Sequence, residues 1–401
     1  MSDDAILGQV ALGYSPFIDR QRAATATRLT VVPIKPDAVL DVAQLLAAVG
    51  EVWPADGGRV SLNVISESLL HDLLQARPAA NLMVEVPSFM AADVANVEAL
   101  CALKAHGSTL LLKGRPLKEL PRAVLPCFKY SIIELEDDRR TGNAPLPQNV
   151  LRDMPFLQSG VRSVLDMEAS FERGAHAVLG WPIDDAVVTT MARSGKAVVA
   201  PGVQTVVELI RQVDKEESIE RLEATLKRDP PLAFKLLRYI NSPAFGLRVE
   251  IGSFRHAIMM LGYKRLKRWL ALLLATASKD VNLKPVMFAA VRRGLLMEEL
   301  ARSSADEEMR SEVFICGVFS LLDRMFQQPF EDLLATIPVP ERVRQALIDK
   351  SGPYQPYMDV VLAAESESLF DFRDAAERLM MGVAEINRAQ LRALMTASEL
   401  E

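Results

Sequence analysis

The sequence predicts two domains of different fold class: an α/β barrel over residues 1–200 and an all-α domain over residues 201–401. In the first half, short β-type runs alternate with helical runs, as in parallel sheets whose strands are joined by crossover helices. From about residue 203 onward, strand-like alternation is almost absent and helical periodicity dominates, broken at intervals by prolines. The boundary is expected near Ala200-Pro201-Gly202.

Seven candidate strands lie in the first half. Seven or eight strand–helix units in about 200 residues suit a (β/α)₈ barrel. An open doubly wound sheet is the alternative, but no glycine-rich phosphate loop follows any candidate strand. The candidate strands are 28–33, 59–65, 82–86, 109–113, 130–136, 161–166 and 176–179. The helical patterns between them are 37–49, 67–76, 92–105 and 148–158.

Composition narrows the class of protein. Of 401 residues, 50% are hydrophobic and 24% are charged, which is typical of a folded globular chain. The net charge of −6 argues against general attraction to nucleic acid. Cys101, Cys127 and Cys316 are far apart in the sequence and form no Cys-x-x-Cys pair, so neither a disulfide framework nor a zinc site is expected. A reducing compartment, no secretory signal and no membrane-spanning run together predict a cytoplasmic protein.

Helix boundaries are unusually clear in residues 222–269. Asp229 can cap a helix whose first positions are Pro230 and Pro231, where a missing N–H costs little. Asn241 and Pro243 mark its end. A second helix is predicted to begin after Ser253, with Gly262 at its C-terminal end.

The runs DPPLAFKLLRYINSPAFG and SFRHAIMMLG in this segment resemble the two signatures of the HDOD domain, a helical signalling module related in fold to HD-type phosphohydrolases. HDOD domains lack the metal-binding His-Asp dyad of those enzymes. The resemblance therefore implies signalling, not hydrolysis.

The first half resembles the EAL domain, the cyclic di-GMP phosphodiesterase fold. The resemblance rests on the order of four segments, LGYSPFIDR, SLNVISESLL, LMVEVP and VLDMEASFERGAHAVLGWPI. An active EAL site needs acidic and amide oxygens at the C-terminal ends of several strands, where they hold two divalent cations. On this resemblance Asn63, Glu85 and Glu168 stand at matching positions.

The remaining EAL positions depart from the pattern. No carboxylate lies in 24–29, where the signature Glu-Ala-Leu should fall, and Arg28 is the only nearby candidate for its ligand-gripping arginine. Lys113-Gly114-Arg115 replaces the adjacent Asp pair, Glu134 replaces a lysine, and Leu179 replaces a glutamine. A lysine in place of two carboxylates opposes dication binding by several kcal/mol at such short range. We therefore expect no hydrolysis of cyclic di-GMP, no metal and no cofactor.

Two surface features of the helical half are candidate partner-binding sites. One is the loop containing Asn241, Pro243 and Phe245, although Phe245 could instead fold back onto the core. The other is a basic cluster, which could contact an anion or could be a solvated helix start with Leu266 and Leu270 facing the core. The basic cluster comprises Lys264, Arg265, Lys267 and Arg268, followed by Trp269.

Other motifs are better explained structurally. His71-Asp72 lies on a predicted barrel helix, and His256 lies within the second HDOD-like run, without the spacing of metal ligands. The connection between the helices flanking 241–252 is too long for a helix-turn-helix.

Three functions from different classes remain. The first is a non-enzymatic signalling regulator that binds other signalling proteins. The second is a sensor that binds cyclic di-GMP, another nucleotide or nucleic acid without hydrolysis, with nucleic acid the least expected ligand. The third is a residual phosphodiesterase. The sequence leaves homodimerisation open and identifies neither the partner nor the pathway.

Overall fold

The structure is a computed structural model that describes residues 5–36, 38–138, 154–184, 201–241, 251, 253–276, 281–303 and 306–400. It divides into two compact units, one comprising Met1–Thr189 and Asp359–Glu401 and the other Thr190–Met358. The predicted fold class is confirmed: an eight-stranded closed barrel forms in the first unit, and the second unit is helical. The division differs from the boundary expected from sequence, because residues 359–401 group with the barrel and not with the helical domain.

Strands β1 to β8 follow one another around the barrel in chain order. Strand β1 is antiparallel to both of its neighbours, β2 and β8, whereas β2 to β8 are mutually parallel. Sequence patterning missed β1, all nine of whose residues are buried, because such a strand shows no alternation of polar and apolar positions. The strands are β1 Val10–Ile18, β2 Ala24–Pro33, β3 Val60–Val64, β4 Leu82–Pro87, β5 Thr109–Lys113, β6 Phe128–Glu134, β7 Phe156–Ser159 and β8 Ala177–Leu179.

One predicted strand and one predicted helix are wrong. The strand expected at 161–166 is a turn followed by the start of a helix, and β7 occupies Phe156–Ser159, within the helix expected at 148–158. Gly160, at φ 76°, turns the chain directly after β7. Ser163 then caps the next helix by accepting a hydrogen bond from the Asp166 N–H at 2.9 Å. Val161 in this turn and Val164 at the start of the next helix are both buried. These apolar residues make the sequence of 161–166 resemble a strand.

Helices α1 to α5 accompany the strands of the barrel. Side-chain caps begin several of them: Asp41 accepts hydrogen bonds from the first turn of α1, and Ser66 from that of α2. The bounds are α1 Val42–Val52, α2 Glu67–Gln75, α3 Ser88–Ala91, α4 Val97–Ala105 and α5 Val164–Glu172.

Residues 359–401 belong to the barrel unit because buried polar contacts attach them to β1. The Asn387 side chain donates to the backbone carbonyls of Leu7 and Val10, both at 2.7 Å, and accepts from the Leu12 N–H at 3.2 Å. A helical asparagine thereby satisfies backbone groups at the start of the barrel. Glycine is needed at position 13, since a Cβ there would lie 3.0 Å from the Cα of Glu367.

The helical unit comprises successive helices. The division between the units falls within α15, and α16 and α17 belong to the barrel unit. The bounds are α6 Pro201–Asp214, α7 Ile219–Lys227, α8 Pro230–Ile240, α9 Phe254–Ala275, α10 Lys284–Leu300, α11 Glu307–Phe319, α12 Leu322–Phe326, α13 Phe330–Thr336, α14 Glu341–Arg344, α15 Gln355–Ser366, α16 Leu369–Leu379 and α17 Val383–Leu400.

The helix boundaries expected in 222–269 are present. Asp229 accepts a hydrogen bond from the Leu232 N–H at 3.1 Å, and Ser253 accepts one from the His256 N–H at 3.2 Å. Gly262, at φ 67°, interrupts α9, so a first helical segment ends there and a second begins. No helix in the described parts of the chain is long and apolar enough to cross a membrane.

Candidate functional site

The barrel interior has an apolar layer and a polar layer. Phe17, Met83, Leu111, Leu157 and Ala177 belong to one buried cluster. Side chains on a strand point alternately to its two faces. On β2 to β5, the residues two positions beyond the apolar layer therefore also point into the barrel interior, nearer the C-terminal ends of those strands. These positions are charged or polar, and they include every interior position that the EAL resemblance singles out on β2 to β5.

A buried ion pair crosses the polar layer. Arg28 on β2 donates to the two carboxylate oxygens of Glu85 on β4, at 2.8 and 2.7 Å, and the Ser61 hydroxyl donates to the same carboxylate at 3.1 Å. The Glu85 side chain is fully buried and that of Arg28 is 10% exposed. Burial alone would lower the pKa of Arg28, but Glu85 and Glu367 outweigh it and the pKa is raised.

A second buried cation lies beside this pair. The Lys113 ammonium donates to Asn63 Oδ1 at 2.7 Å, and the Asn63 amide in turn donates to the Thr30 hydroxyl at 3.0 Å. Burial lowers the pKa of Lys113 and the Arg28 charge lowers it further, against the opposing effect of nearby carboxylates such as Glu85.

The C-terminal segment supplies the remaining charge of this network. Glu367, between α15 and α16, accepts hydrogen bonds from the hydroxyls of Ser15 and Thr30, at 2.8 and 2.6 Å. Its carboxylate also lies 3.6 Å from the Arg28 guanidinium. Glu367 has φ 55°, an uncommon conformation for a residue other than glycine, and here it directs the chain past Gly13. Sequence reasoning missed Glu367, which lies 337 residues from Thr30.

These residues do not fit a pair of divalent cations. Such a site requires several oxygen ligands that carry net negative charge. The cations Arg28 and Lys113 interact with three carboxylates, Glu85, Glu367 and Glu134, which leaves a formal charge of only −1 to balance two dications. Both oxygens of Glu85 and Oδ1 of Asn63 already accept hydrogen bonds from cations. Within the described residues, no three His, Cys, Asp or Glu side chains converge as a metal site.

The structure separates Glu168 from the other EAL-motif positions. Asn63 and Glu85 face the same interior network, but Glu168 lies on α5, where it forms an ion pair with Arg22 and keeps 39% of its side chain exposed. On β6, Glu134 accepts a hydrogen bond from the Ser159 hydroxyl at 2.7 Å. A Cβ at Gly160 would lie 1.9 Å from a Glu134 carboxylate oxygen, so this arrangement depends on glycine.

In the helical unit, half of the basic cluster is already neutralised. Lys267 forms an ion pair with Asp214 at 2.5 Å. Arg268 forms an ion pair with Glu298 and lies over the Phe314 ring, 3.9 Å from its centroid. Lys264 and Arg265 are exposed, and neither forms an ion pair within the described parts of the chain.

The apolar neighbours of this cluster face the core, as expected for a helix start. Leu266 and Leu270 are buried. Trp269 is also buried and stacks on Tyr239, with the ring centroids 6.0 Å apart.

Of the candidate loop, only Asn241 can be described. Its amide donates to the Ile251 carbonyl at 2.9 Å and its carbonyl accepts from the Ile251 N–H at 2.7 Å, so it joins the two ends of the loop. Pro243 and Phe245 lie outside the described residues. The partner-binding role expected for this loop stays a prediction.

The HDOD domain family matches residues 199–327, the region in which the two sequence signatures and the helices α6 to α12 lie. The chain contains an HDOD domain. Asn241 and the basic cluster both belong to it, and the buried network of Arg28, Glu85 and Lys113 lies outside it.

Curated relatives and solved structures match parts of this chain. YuxH of Bacillus subtilis is 30% identical over 168 residues, and the cyclic di-GMP phosphodiesterase CdgJ of Vibrio cholerae is 28% identical over 163 residues. Each match covers 40% of this chain, and 40% and 38% of the relatives, so the chain spans only about two fifths of their length.

Two solved structures also match parts of the chain, at low identity. One is YkuI of Bacillus subtilis, an EAL-domain protein in complex with cyclic di-GMP and calcium (11% identity, TM-score 0.31, 63% of this chain and 73% of that chain). The other is an HDOD-domain protein from Geobacter sulfurreducens (15% identity, TM-score 0.27, 54% of this chain and 76% of that chain).

Proposed function

We propose that the protein is a non-enzymatic regulator in cyclic di-GMP signalling that acts by binding other signalling proteins. The pathway is supported by the HDOD domain and by the name of one relative, a cyclic di-GMP phosphodiesterase. The absence of catalysis is supported by one observation above all, the hydrogen bonds that two cations donate inside the barrel. Arg28 donates to both oxygens of Glu85, and Lys113 donates to the side-chain oxygen of Asn63.

Positive charge inside the barrel opposes metal binding. Hydrolysis by two metal ions requires the protein to hold two dications and an activated water. For metal to bind here, Glu85 would have to exchange a bidentate guanidinium for a cation while Lys113 and Arg28 stayed nearby. Repulsion between a dication and two neighbouring cations in a buried site amounts to several kcal/mol even at a moderate dielectric.

The hydrolysis claim is tested by incubating the full chain with cyclic di-GMP and Mg²⁺ or Mn²⁺, with chromatographic detection of the linear dinucleotide. We expect no product above that of a metal-free control. Linear product that forms faster with metal than without it would overturn the proposal. Arg28→Gln with Lys113→Gln serves as a companion variant, because it removes both interior cations and shows whether they alone oppose metal binding.

The partner-binding claim draws on exposed apolar side chains of the HDOD domain. Phe234 on α8 is 65% exposed, and Met259 and Met260 on the adjacent helix α9 are 61% and 48% exposed. Large exposed apolar side chains supply much of the binding energy in protein interfaces.

Affinity capture with the full chain should therefore identify a partner that is lost with Phe234→Ser and Met259→Ser. The matched control is Phe370→Ser, which changes a phenylalanine that is 80% exposed in the barrel unit. If every captured protein binds the HDOD variants and the control equally, these apolar residues do not form the interface.

A further inference from the structure

A small cavity in the HDOD domain is lined mainly by cations. It has a volume of about 180 Å³ and lies between residues of α9, α10 and α11. Lys264, Arg265 and Arg268 contribute from α9, Glu298 from α10, and Arg310 contributes from α11. Ser311 and Glu307, also on α11, complete the lining.

The cavity carries unneutralised positive charge. Arg268 and Glu298 cancel one another through their ion pair. Three cations, Lys264, Arg265 and Arg310, then face one remaining carboxylate, Glu307, which leaves a formal excess of +2. Glu307 is exposed, so solvent screens its charge more than that of a half-buried group.

Arg310 has a buried donor atom without a partner in the described parts of the chain. Its residue is half-buried, and its Nε is fully buried without a hydrogen-bond partner among the described residues. A buried N–H without a partner is unfavourable, and an anion in the cavity that Arg310 lines would offset part of that cost.

The backbone around the cavity favours the same charge. Glu307, Arg310 and Ser311 lie in the first turns of α11, a helix of 13 residues whose N-terminal end carries partial positive charge. Lys264 and Arg265 directly follow the break at Gly262, where the second segment of α9 begins. The N-terminal turns of α11 and the cationic side chains of α9 thus meet at one cavity.

We propose that this cavity binds a phosphoryl group, from inorganic phosphate or from a small phosphorylated molecule such as a nucleotide. Guanidinium groups donate in a fork that matches phosphate oxygens, and the Ser311 hydroxyl adds a neutral donor. The cavity has room for a phosphoryl group. The proposal does not depend on whether the barrel hydrolyses cyclic di-GMP.

Calorimetric titration of the full chain with inorganic phosphate, adenosine monophosphate and adenosine tests the proposal. We expect saturable binding of phosphate and of the nucleotide, which weakens as salt is added, and no binding of adenosine. Similar affinities for phosphate and nucleotide would show that the phosphoryl group alone is recognised. Tighter binding of the nucleotide would show that its sugar or base adds contacts.

The decisive variant is Lys264→Ala with Arg265→Ala, which changes two exposed side chains and should leave the fold intact. It should weaken phosphate binding at least about tenfold, since each charge-assisted hydrogen bond contributes appreciably to affinity. Lys267→Gln is the matched control, because Lys267 lies on the same helix but pairs with Asp214 and does not line the cavity. Its affinity should stay within about twofold of the wild type. Absence of saturable binding up to about 10 mM ligand, or equal losses in variant and control, would overturn the proposal.

Discussion

Arg28 and Glu85 form a bidentate ion pair inside the barrel, with donor–acceptor distances of 2.8 and 2.7 Å. The Arg28 guanidinium thus binds both oxygens of Glu85, the carboxylate that the EAL resemblance assigns to metal binding. Because Glu85 is fully buried, removal of Arg28 would leave a buried carboxylate without its bidentate partner, whereas Arg28 would still have Glu367 at 3.6 Å if Glu85 were removed. Removal of Arg28 alone should therefore be more destabilising than replacement of both partners by apolar residues.

We predict that Arg28→Ala lowers the free energy of unfolding by about 3–5 kcal/mol, because it leaves Glu85 charged and buried. Urea denaturation of the full chain measures this loss. Arg162→Ala is the control, since Arg162 pairs with Asp184 on the surface, where both side chains are about half exposed, and its loss should stay below about 1 kcal/mol. The double variant Arg28→Met, Glu85→Leu should recover most of the stability. Equal losses for Arg28→Ala and the control would contradict the buried-pair interpretation.

Lys113 provides a prediction of pH dependence. Burial and Arg28 lower its pKa from the ordinary value of 10.5, so the folded protein releases this proton at a lower pH than the unfolded chain. Below the lowered pKa, both states are charged and the full cost of burying the ammonium is present. As the pH rises from the lowered pKa towards 10.5, the unfolded state holds more protons, and stability must increase.

The free energy of unfolding of the wild type, minus that of Lys113→Met, should therefore rise with pH over this interval. Chemical denaturation at a series of alkaline pH values gives the difference. Lys118→Met, which removes an exposed lysine, is the control for the loss of a lysine charge. A Lys113 difference that is flat or falls with pH would show that the ammonium is not desolvated.

The strands that could be predicted from sequence are those with local signals. The prediction for Thr109–Lys113 matches β5 at both ends, and β3 and β4 are placed within about a residue, because short apolar runs there are bounded by polar turns. Strand β7 was missed because its four residues are all buried and are followed by an apolar turn that looks more like a strand.

The site could be predicted only in part, for a related reason. The sequence placed Asn63 and Glu85 in the interior, and it placed Lys113 where an acidic pair was expected. It did not show that Arg28 neutralises Glu85, 57 positions away, or that Glu367 joins the same network. Contacts between residues so distant leave no periodic or motif signal in a single sequence.

Cys101 and Cys127 illustrate the same effect, since they are 26 positions apart but their sulfurs lie 3.7 Å from each other. We predict that oxidised glutathione converts them to a disulfide: each thiol loses a proton, and the pair gives two electrons to the reagent, which leaves as two thiols. Burial and the contact with Cys101 raise the pKa of Cys127 to about 11, so the half-buried Cys101 should react first.

Peptide mass spectrometry after oxidation checks this outcome. The Cys101–Cys127 cross-link should appear in the wild type and disappear in Cys101→Ser. Cys316 should stay reduced, because it is fully buried and burial raises its pKa to about 12. Stable glutathione adducts on Cys101 without the cross-link would show that the two sulfurs cannot reach the bonding distance of about 2.05 Å.

Asn387 and Gln390 on α17 offer a matched pair of buried amides. Asn387 makes three hydrogen bonds to the backbone of Leu7, Val10 and Leu12, whereas both side-chain amide atoms of Gln390 are buried without a partner among the described residues. Removing a partner leaves a buried group unsatisfied at a cost of about 1–3 kcal/mol, but removing an amide that has no partner leaves nothing unsatisfied.

Asn387→Leu should therefore destabilise the barrel by at least about 2 kcal/mol, since it orphans two carbonyls and one N–H, while Gln390→Leu should be neutral or stabilising. Urea denaturation measures the free energies, and hydrogen exchange at the Leu12 amide shows whether the loss is located at β1. Faster exchange of that amide in Asn387→Leu, with no change in Gln390→Leu, would support the grouping of residues 359–401 with the barrel. If the two variants lose equal stability, or if the Leu12 amide stays protected in both, the anchoring of α17 to β1 is not what stabilises this part of the fold.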